Sequence, residues 1–274
     1  MKIQKGLQIF GTFIIPIIAI GFKMLGYFIQ YLKWKFDNSE NDSNYQFKTE
    51  NIREILSKYF AYYRSLQPKE KLKFERRVDL FIGSKKFYGK SGLEVVPEMK
   101  ILIAAAAVQL TFGFSLFKMP HFVHLVIYPK SYISKLTKKS HHGEVHPAKG
   151  IIVMSWERFL KGYSDTDDGI NLGIHEMAHA LFFQNYSGQI EGSFLDNEIL
   201  DFLSKRFMAM KKIKREHNFF RAYGFSNFVE FFSVLCENFF ERPDEFFENE
   251  PEIYLKLSDL LNQDLRTKLN MQFA

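Results

Sequence analysis

Residues 167–188 read "DDGINLGIHEMAHALFFQNYSG", and the five residues His175–His179 decide how the chain is read. Two histidines stand four apart, and Glu176 follows the first. On an α-helix, four residues advance about 6 Å and overshoot a full turn by about 40°. His175 and His179 therefore point the same way, one turn apart. A single Zn²⁺ can accept both imidazole nitrogens at about 2.0–2.1 Å. Glu176 lies about 100° further round and reaches the open side of such an ion without ligating it. A carboxylate there can take a proton from water whose pKa the metal lowers to about 7. The competing reading is a buried helix that happens to hold two histidines. Gly173, Ile174, Met177, Ala178, Ala180, Leu181, Phe182 and Phe183 make the helix apolar nearly all round, so it is buried either way. Burying three polar side chains without partners would cost several kcal/mol. At average composition the pattern arises by chance in about one chain in a hundred. The metal reading is the stronger of the two.

A catalytic zinc needs three protein ligands and a water. Downstream carboxylates on expected helices are Glu191, Glu198, Glu230, Glu237 and Glu241. The stretch "RAYGFSNFVEFFSVLCENFFERP" is the most suggestive. Glu230 and Glu237 are seven apart, so they share a helical face but lie about 10 Å apart along the axis. Only one of them can hold the same ion. Asn227 reads as the cap of this helix, with Glu230 three residues on, as in a capping box. Glu237 sits in an apolar run and needs a partner. A ligand histidine is one such partner. Spacing does not choose between the two glutamates.

The rest of the chain frames the site. Helical apolar spacing runs through Ile52, Ile55, Leu56, Tyr59 and Phe60, and a second helix is expected from Pro68. "GLEVV" (92–96), 121–129 and 150–156 read as strands. The alanine run in 99–114 favours a buried helix. After Trp156 the chain turns almost wholly helical, over 157–162, 168–185, 194–210, 226–240 and 251–261. Helices, then strands, then helices give an α+β class with a small mixed sheet. "KKSHHGEVHPAKG" carries His141, His142 and His146 and reads as an exposed loop rather than a second metal site. His121 and His124 are three apart, so on a strand they face opposite sides.

Net charge is +6, and residues 1–36 hold five lysines and no acid, which leaves about +1 for the rest. No basic face or motif argues for a nucleic-acid partner. The single cysteine, Cys236, excludes an internal disulfide framework and suits a reducing compartment. Residues 6–22 carry no charge, and 6–32 are long enough to span a bilayer while tolerating Lys23. Tyr27, Tyr31 and Trp34, with Lys33 and Lys35, resemble an interfacial belt. A cleaved signal peptide would need a small-residue cleavage site, and "GFKMLGYF" is bulky and basic. An amphipathic arm lying on the membrane is the third reading. The expected organisation is a membrane anchor over 1–36, a polar linker over 37–50 and a zinc-site domain over 51–274. The expected location is a membrane, single-pass, with the domain on the cytoplasmic side. Lysines flank both ends of the apolar stretch, so they do not by themselves orient it.

"HEMAHAL", with "GIIVMSW" before it and "AYGFSNFVEFFSVLCENFFERPDEFF" after it, resembles the MtfA-like (Mlc titration factor A) zinc metallopeptidases. "KILIAAAAVQLTFG" and "VIYPKSYI" extend the resemblance, which keeps the family's order of motifs over about residues 50–265. The resemblance implies a zincin-type domain with one Zn²⁺ held by His175, His179 and Glu230. It implies Glu176 as general base and Tyr223, seven residues before Glu230, as a donor to the transition state. Glu237 then becomes the partner of a ligand. Peptides or proteins are the implied substrates, and the family name implies a regulatory protein partner. The apolar N-terminus lies outside the shared region, and the "HHGEVHP" loop has no residue-by-residue match. A regulatory module that keeps the fold with little turnover is the alternative function.

Overall fold

The computed structural model describes residues 49–134, 137–187, 195–212 and 219–266. The expected anchor and residues 37–48 of the expected linker lie outside the described residues. No helix among the described residues is long and apolar enough to cross a membrane.

The chain enters through α1 (Thr49–Tyr59), α2 (Ala61–Ser65) and α3 (Pro68–Gly83). Ile52, Leu56 and Phe60 turn inward, as their spacing requires. Pro68 opens α3, where its missing N–H costs nothing, and Gln67 and Glu70 close a capping box. A short strand β1 (Lys86–Gly89) leads to α4 (Pro97–Thr111), whose residues from Ile101 to Thr111 are all buried. Strands β2 (His124–Tyr128), β3 (Tyr132–Ile133), β4 (Ser140–His141), β5 (Gly143–His146) and β6 (Ile151–Ser155) follow. The helical half contains α5 (Trp156–Ser164), α6 (Leu172–Gln184), α7 (Asn197–Lys212), α8 (Phe228–Glu241), α9 (Pro243–Asn249) and α10 (Pro251–Leu261).

Among the described residues the main sheet has the order β1-β2-β6-β5. The first two pairings are parallel, and β5 runs antiparallel to β6. The sheet is mixed and small, as expected. Leu125, Ile127, Ile152 and Met154 face the core. The apolar helices α4 and α6 pack against each other, and α6 also rests on β5, β6 and α8.

Three readings change. "GLEVV" is not a strand. Ser91 and Gly92 take positive φ, and the chain folds back so tightly that a Cβ on Gly89 would lie 1.8 Å from the Leu93 carbonyl oxygen. The strand is instead β1, four residues at a sheet edge, where alternation is too short to stand out. The strand expected from 121 begins at His124, so His121 lies in a turn. Its N–H donates to Gln184 Oε1, while His124 Nδ1 meets the Tyr88 hydroxyl, so the two histidines do not pair. Finally, "HHGEVH" is no loop. Its Gly143–His146 segment pairs with β6 and becomes the sheet edge, and His146 Nε2 lies 3.4 Å from Glu144 Oε2.

Candidate active site

The site is built where α6 meets α8. Asn171 caps α6, its Oδ1 accepting from the Ile174 N–H at 3.0 Å. This sets His175 and Glu176 one turn in and His179 two turns in, and all three are buried. Asn227 caps α8, accepting from the N–H groups of Val229 and Glu230 at 3.0 Å each. Because the cap satisfies those donors, the Glu230 side chain is free to leave the helix. Its Oε2 lies 3.1 Å from His175 Nε2 and 3.4 Å from His179 Nε2. One ligand-type atom from each of the three residues lies within 4.8 Å of the other two.

Glu237, two turns deeper on α8, does other work. Its Oε2 lies 3.0 Å from His175 Nδ1 and accepts from an Arg221 guanidinium nitrogen at 2.6 Å. Its Oε1 accepts from the Asn171 N–H at 2.9 Å. A carboxylate can only accept, so the Nδ1 of His175 carries a proton toward Glu237, which leaves Nε2, facing Glu230, as the nitrogen whose lone pair an ion would take. Ser233 Oγ, 3.0 Å from His179 Nδ1, holds the corresponding nitrogen of the second ring. The rings stand nearly perpendicular, with centroids 4.6 Å apart.

The local field favours a cation. Burial opposes charge on His175, but Glu237 and Glu230 outweigh it and raise its pKa to about 10. Burial would raise the Glu230 carboxyl, yet the two imidazoles hold it well below the usual carboxylate range. Glu230 Oε2 is buried and accepts no well-directed hydrogen bond, although both Nε2 atoms are near it. Two imidazole nitrogens and one such carboxylate oxygen fit a zinc ion with an open position. A bound ion would take the place of the proton these groups otherwise share.

Glu176 stands apart from the three. Burial raises its pKa, against the pull of His179 and His175. Its Oε2 is buried without a hydrogen-bond partner. Tyr223 lies in a 3-10 turn, Ala222–Phe225, with its ring centroid 6.1 Å from that of His175. Burial, then the charge of Glu230 and a hydrogen bond to it, raise its pKa to about 12, so the hydroxyl keeps its proton at neutral pH. A cleft of about 470 Å³ opens onto His175, Glu176, Tyr223 and Glu237.

The glucose-regulated metallo-peptidase M90 family model matches residues 33–261. The chain belongs to this family. An uncharacterized protein of Synechocystis sp. is 24% identical over 225 residues, covering 73% of this chain and 79% of its own length. The Mlc titration factor A of Escherichia fergusonii is 24% identical over 226 residues, covering 75% and 84%. That of Edwardsiella ictaluri is 27% identical over 206 residues, covering 67% and 76%. The resemblance drawn from the motifs is thus borne out, and the fold is that of a metallopeptidase family member.

Of the other acids weighed, Glu241 accepts from Asn171 Nδ2 at 3.0 Å and is one step removed from the cluster. Glu191 lies outside the described residues. His141 and His142 line the cleft but belong to no metal-type cluster among the described residues. Sequence reasoning missed Asn171, Ser233, Arg221 and Gly143. An asparagine just before an apolar helical run is a cap signal, and Ser233 sits three residues after Glu230 on the same helix. Nothing in the spacing marks Arg221.

Gly143 needs no side chain for a different reason. A Cβ there would lie 2.2 Å from Glu176 Oε1 and 2.4 Å from its carboxyl carbon. The glycine lets the edge strand close over the Glu176 carboxylate. The atoms met are the end of one flexible side chain, so Gly143→Ala is expected to fold normally while pushing that carboxylate aside. Misplacing a reacting group by about 1 Å costs about 100-fold in rate. Any hydrolysis that depends on Glu176 should therefore fall about 10- to 100-fold with thermal midpoint and metal content unchanged. An active Gly143→Ala protein would show that Glu176 is free to move without cost.

Proposed function

We propose that the protein is a zinc-dependent peptidase anchored to a membrane by its N-terminal segment. The observation that carries this reading is the orphaned Glu230 Oε2 beside two imidazole nitrogens, with the unpartnered Oε2 of Glu176 on the residue after His175. His175, His179 and Glu230 are the residues that hold the ion, and Glu237 and Ser233 orient the two rings. When bound, zinc supplies Lewis acidity toward water and the scissile carbonyl. Glu176, buried and raised in basicity, takes a proton from the attacking water and delivers it to the leaving amine. Tyr223 keeps its proton and donates to the developing oxyanion.

The substrate backbone needs a free sheet edge. Strand β6, which covers most of the expected strand 150–156, is paired on both sides, by β2 and β5. The edge beside the cleft is β5, with Gly143 in the cleft wall. An extended peptide adds to that edge through its main chain. Metal analysis combined with peptide-library cleavage, with Glu176→Gln as control, tests the reading.

The alternative is a regulatory module with little turnover. Its support is the name of two relatives, Mlc titration factor A, which points to an interaction with Mlc for them. A buried basic carboxylate and a protonated tyrosine serve no purpose in a mere scaffold, which favours the peptidase. A purely structural zinc would be closed by four ligands. Three candidates are gathered among the described residues.

The anchor is tested separately. The full chain should sediment with membranes and resist high-salt and carbonate extraction. A truncation starting at Asn44 should be soluble and still bind zinc. Carbonate release of the intact chain would mean a surface-lying arm, and a mature N-terminus after the apolar stretch would mean a signal peptide.

A further inference from the structure

One wall of the cleft is not explained by the metal centre. Arg158 and Lys161 stand three residues apart on α5, on one helical face, and both line the cleft that opens onto His175, Glu176 and Tyr223. Both residues are exposed. Neither makes an ion pair with a described carboxylate. The acids of the same cleft are already engaged. Glu237 is held by Arg221 and His175, Glu176 is the general base of the proposed reaction, and Asp168 Oδ1 accepts from the Ile170 N–H at 2.8 Å. Two cations thus line the cleft with no described carboxylate in ion-pair contact, although the charge of Lys161 is felt at Asp165.

Their position is fixed by the site itself. Gly162, next to Lys161, is buried against the start of α6, where a Cβ would lie 2.9 Å from the Asn171 Cα. The Gly162 carbonyl accepts from Asn171 Nδ2 at 3.1 Å, and the Asn171 N–H binds Glu237. The cationic face of α5 is therefore tied, through one asparagine, to the carboxylate that orients His175. Across the cleft, His142 has a pKa held below its ordinary value, by burial first and by the charge of Arg158 next. The Arg158 charge is felt at the β4–β5 wall.

We propose that Arg158 and Lys161 recognise a substrate carboxylate, so that the peptides taken up are negatively charged close to the bond that is cut. The carboxylate is that of an Asp or Glu side chain or the C-terminus of the peptide. Turnover of such peptides rests on the peptidase reading; their binding does not.

The test starts from a peptide cut in the library experiment, or from a generic extended peptide if none is cut. It is made in three forms: glutamine near the centre with an amidated end, glutamate at the same place with an amidated end, and glutamine with a free carboxylate end. The wild-type protein should favour one charged form over the neutral form by about 5- to 10-fold in kcat/KM. The factor is modest because the two charges stay in contact with water. The form preferred identifies the source of the carboxylate. The preference should shrink at high salt, vanish in Arg158→Gln/Lys161→Gln and reverse in Arg158→Glu/Lys161→Glu. Absence of a preference in the wild type, or a preference that survives charge reversal, overturns the inference while leaving the peptidase reading intact. Binding to the zinc-loaded Glu176→Gln protein, read by fluorescence anisotropy with the same three peptides, separates the two ideas. If charged peptides bind tighter and charge reversal removes this, the inference stands even if the wild type cuts nothing. Equal binding, or no binding by any of the three, overturns it.

Discussion

Glu176→Gln is expected to abolish nearly all peptide hydrolysis while leaving zinc content and fold unchanged. The substitution keeps the shape of the side chain and removes only its ability to take a proton. General-base catalysis contributes about 10²- to 10⁴-fold. A loss near 10³-fold, about 4 kcal/mol of transition-state stabilisation, is the expected size. Stability should not suffer, because the wild-type residue is already poorly served. Burial raises the cost of its charge, and its Oε2 accepts no hydrogen bond. A neutral amide in that place removes a buried charge. The thermal midpoint should hold or rise slightly. The measurements are zinc stoichiometry, a thermal melt and kcat/KM on one library-derived peptide. Equal cleavage by wild type and variant would sink the enzyme reading and leave the regulatory module standing. Loss of zinc in the variant would instead mean that Glu176 is itself a ligand, against its separation from the three-residue cluster.

The site explains why an apolar helix tolerates so many polar groups. His175, Glu176 and His179 are nearly dry on α6, and Glu237 is nearly dry on α8. Each needs a partner or a role. Glu237 has three donors, and the imidazole Nδ1 atoms have Glu237 and Ser233. What remains without a partner is Glu230 Oε2 and Glu176 Oε2, the two oxygens assigned to metal and to proton transfer. Within this cluster the unmet polar demand thus falls where the proposed chemistry needs it.

Much of this was legible from local pattern. The two histidines and Glu176 follow from helical geometry alone, and the Asn227 cap follows from its place before an apolar run. The buried α4 follows from its alanines, and the α+β order from the sequence of patterns. The choice between Glu230 and Glu237 was not legible, because it depends on how α6 and α8 cross. Their helical phase is nearly the same, and only depth along the axis separates them. The resemblance to known metallopeptidases supplied the expectation. Glu230, not Glu237, lies beside both Nε2 atoms. The edge role of β5 was hidden for a similar reason. "GEVH" is four residues with a glycine, two polar side chains and a single β-branched valine, and pairing with β6 gives it a strand conformation that its own propensity does not demand. Arg221 sits before a glycine-bearing 3-10 turn, and only tertiary folding brings it to Glu237.

The same two glutamates give the second large expected effect, a crossed pattern in which one variant loses zinc and the other loses stability. Glu230→Ala removes an oxygen from the cluster of three and leaves the rest of α8 capped by Asn227. It should lose zinc first under a graded chelator, with only a small change in the melt of the metal-free protein. Glu237→Ala removes the acceptor for His175 Nδ1, for Arg221 and for the Asn171 N–H. Breaking a buried charged pair by deleting one partner costs about 3–5 kcal/mol. Arg221 is partly exposed, so the lower end of that range applies. Loss of a group that orients a metal-bound histidine typically costs about 10- to 100-fold in metal affinity. Glu237→Ala should therefore keep zinc at chelator levels where Glu230→Ala is empty, yet melt well below it when both are metal-free. If Glu237→Ala does not fold, Glu237→Gln retains an accepting oxygen and carries the same comparison. Should Glu230→Ala hold zinc like the wild type while the Glu237 variants are empty, the ligand is Glu237. The role given to Tyr223, seven residues before Glu230, then falls with it.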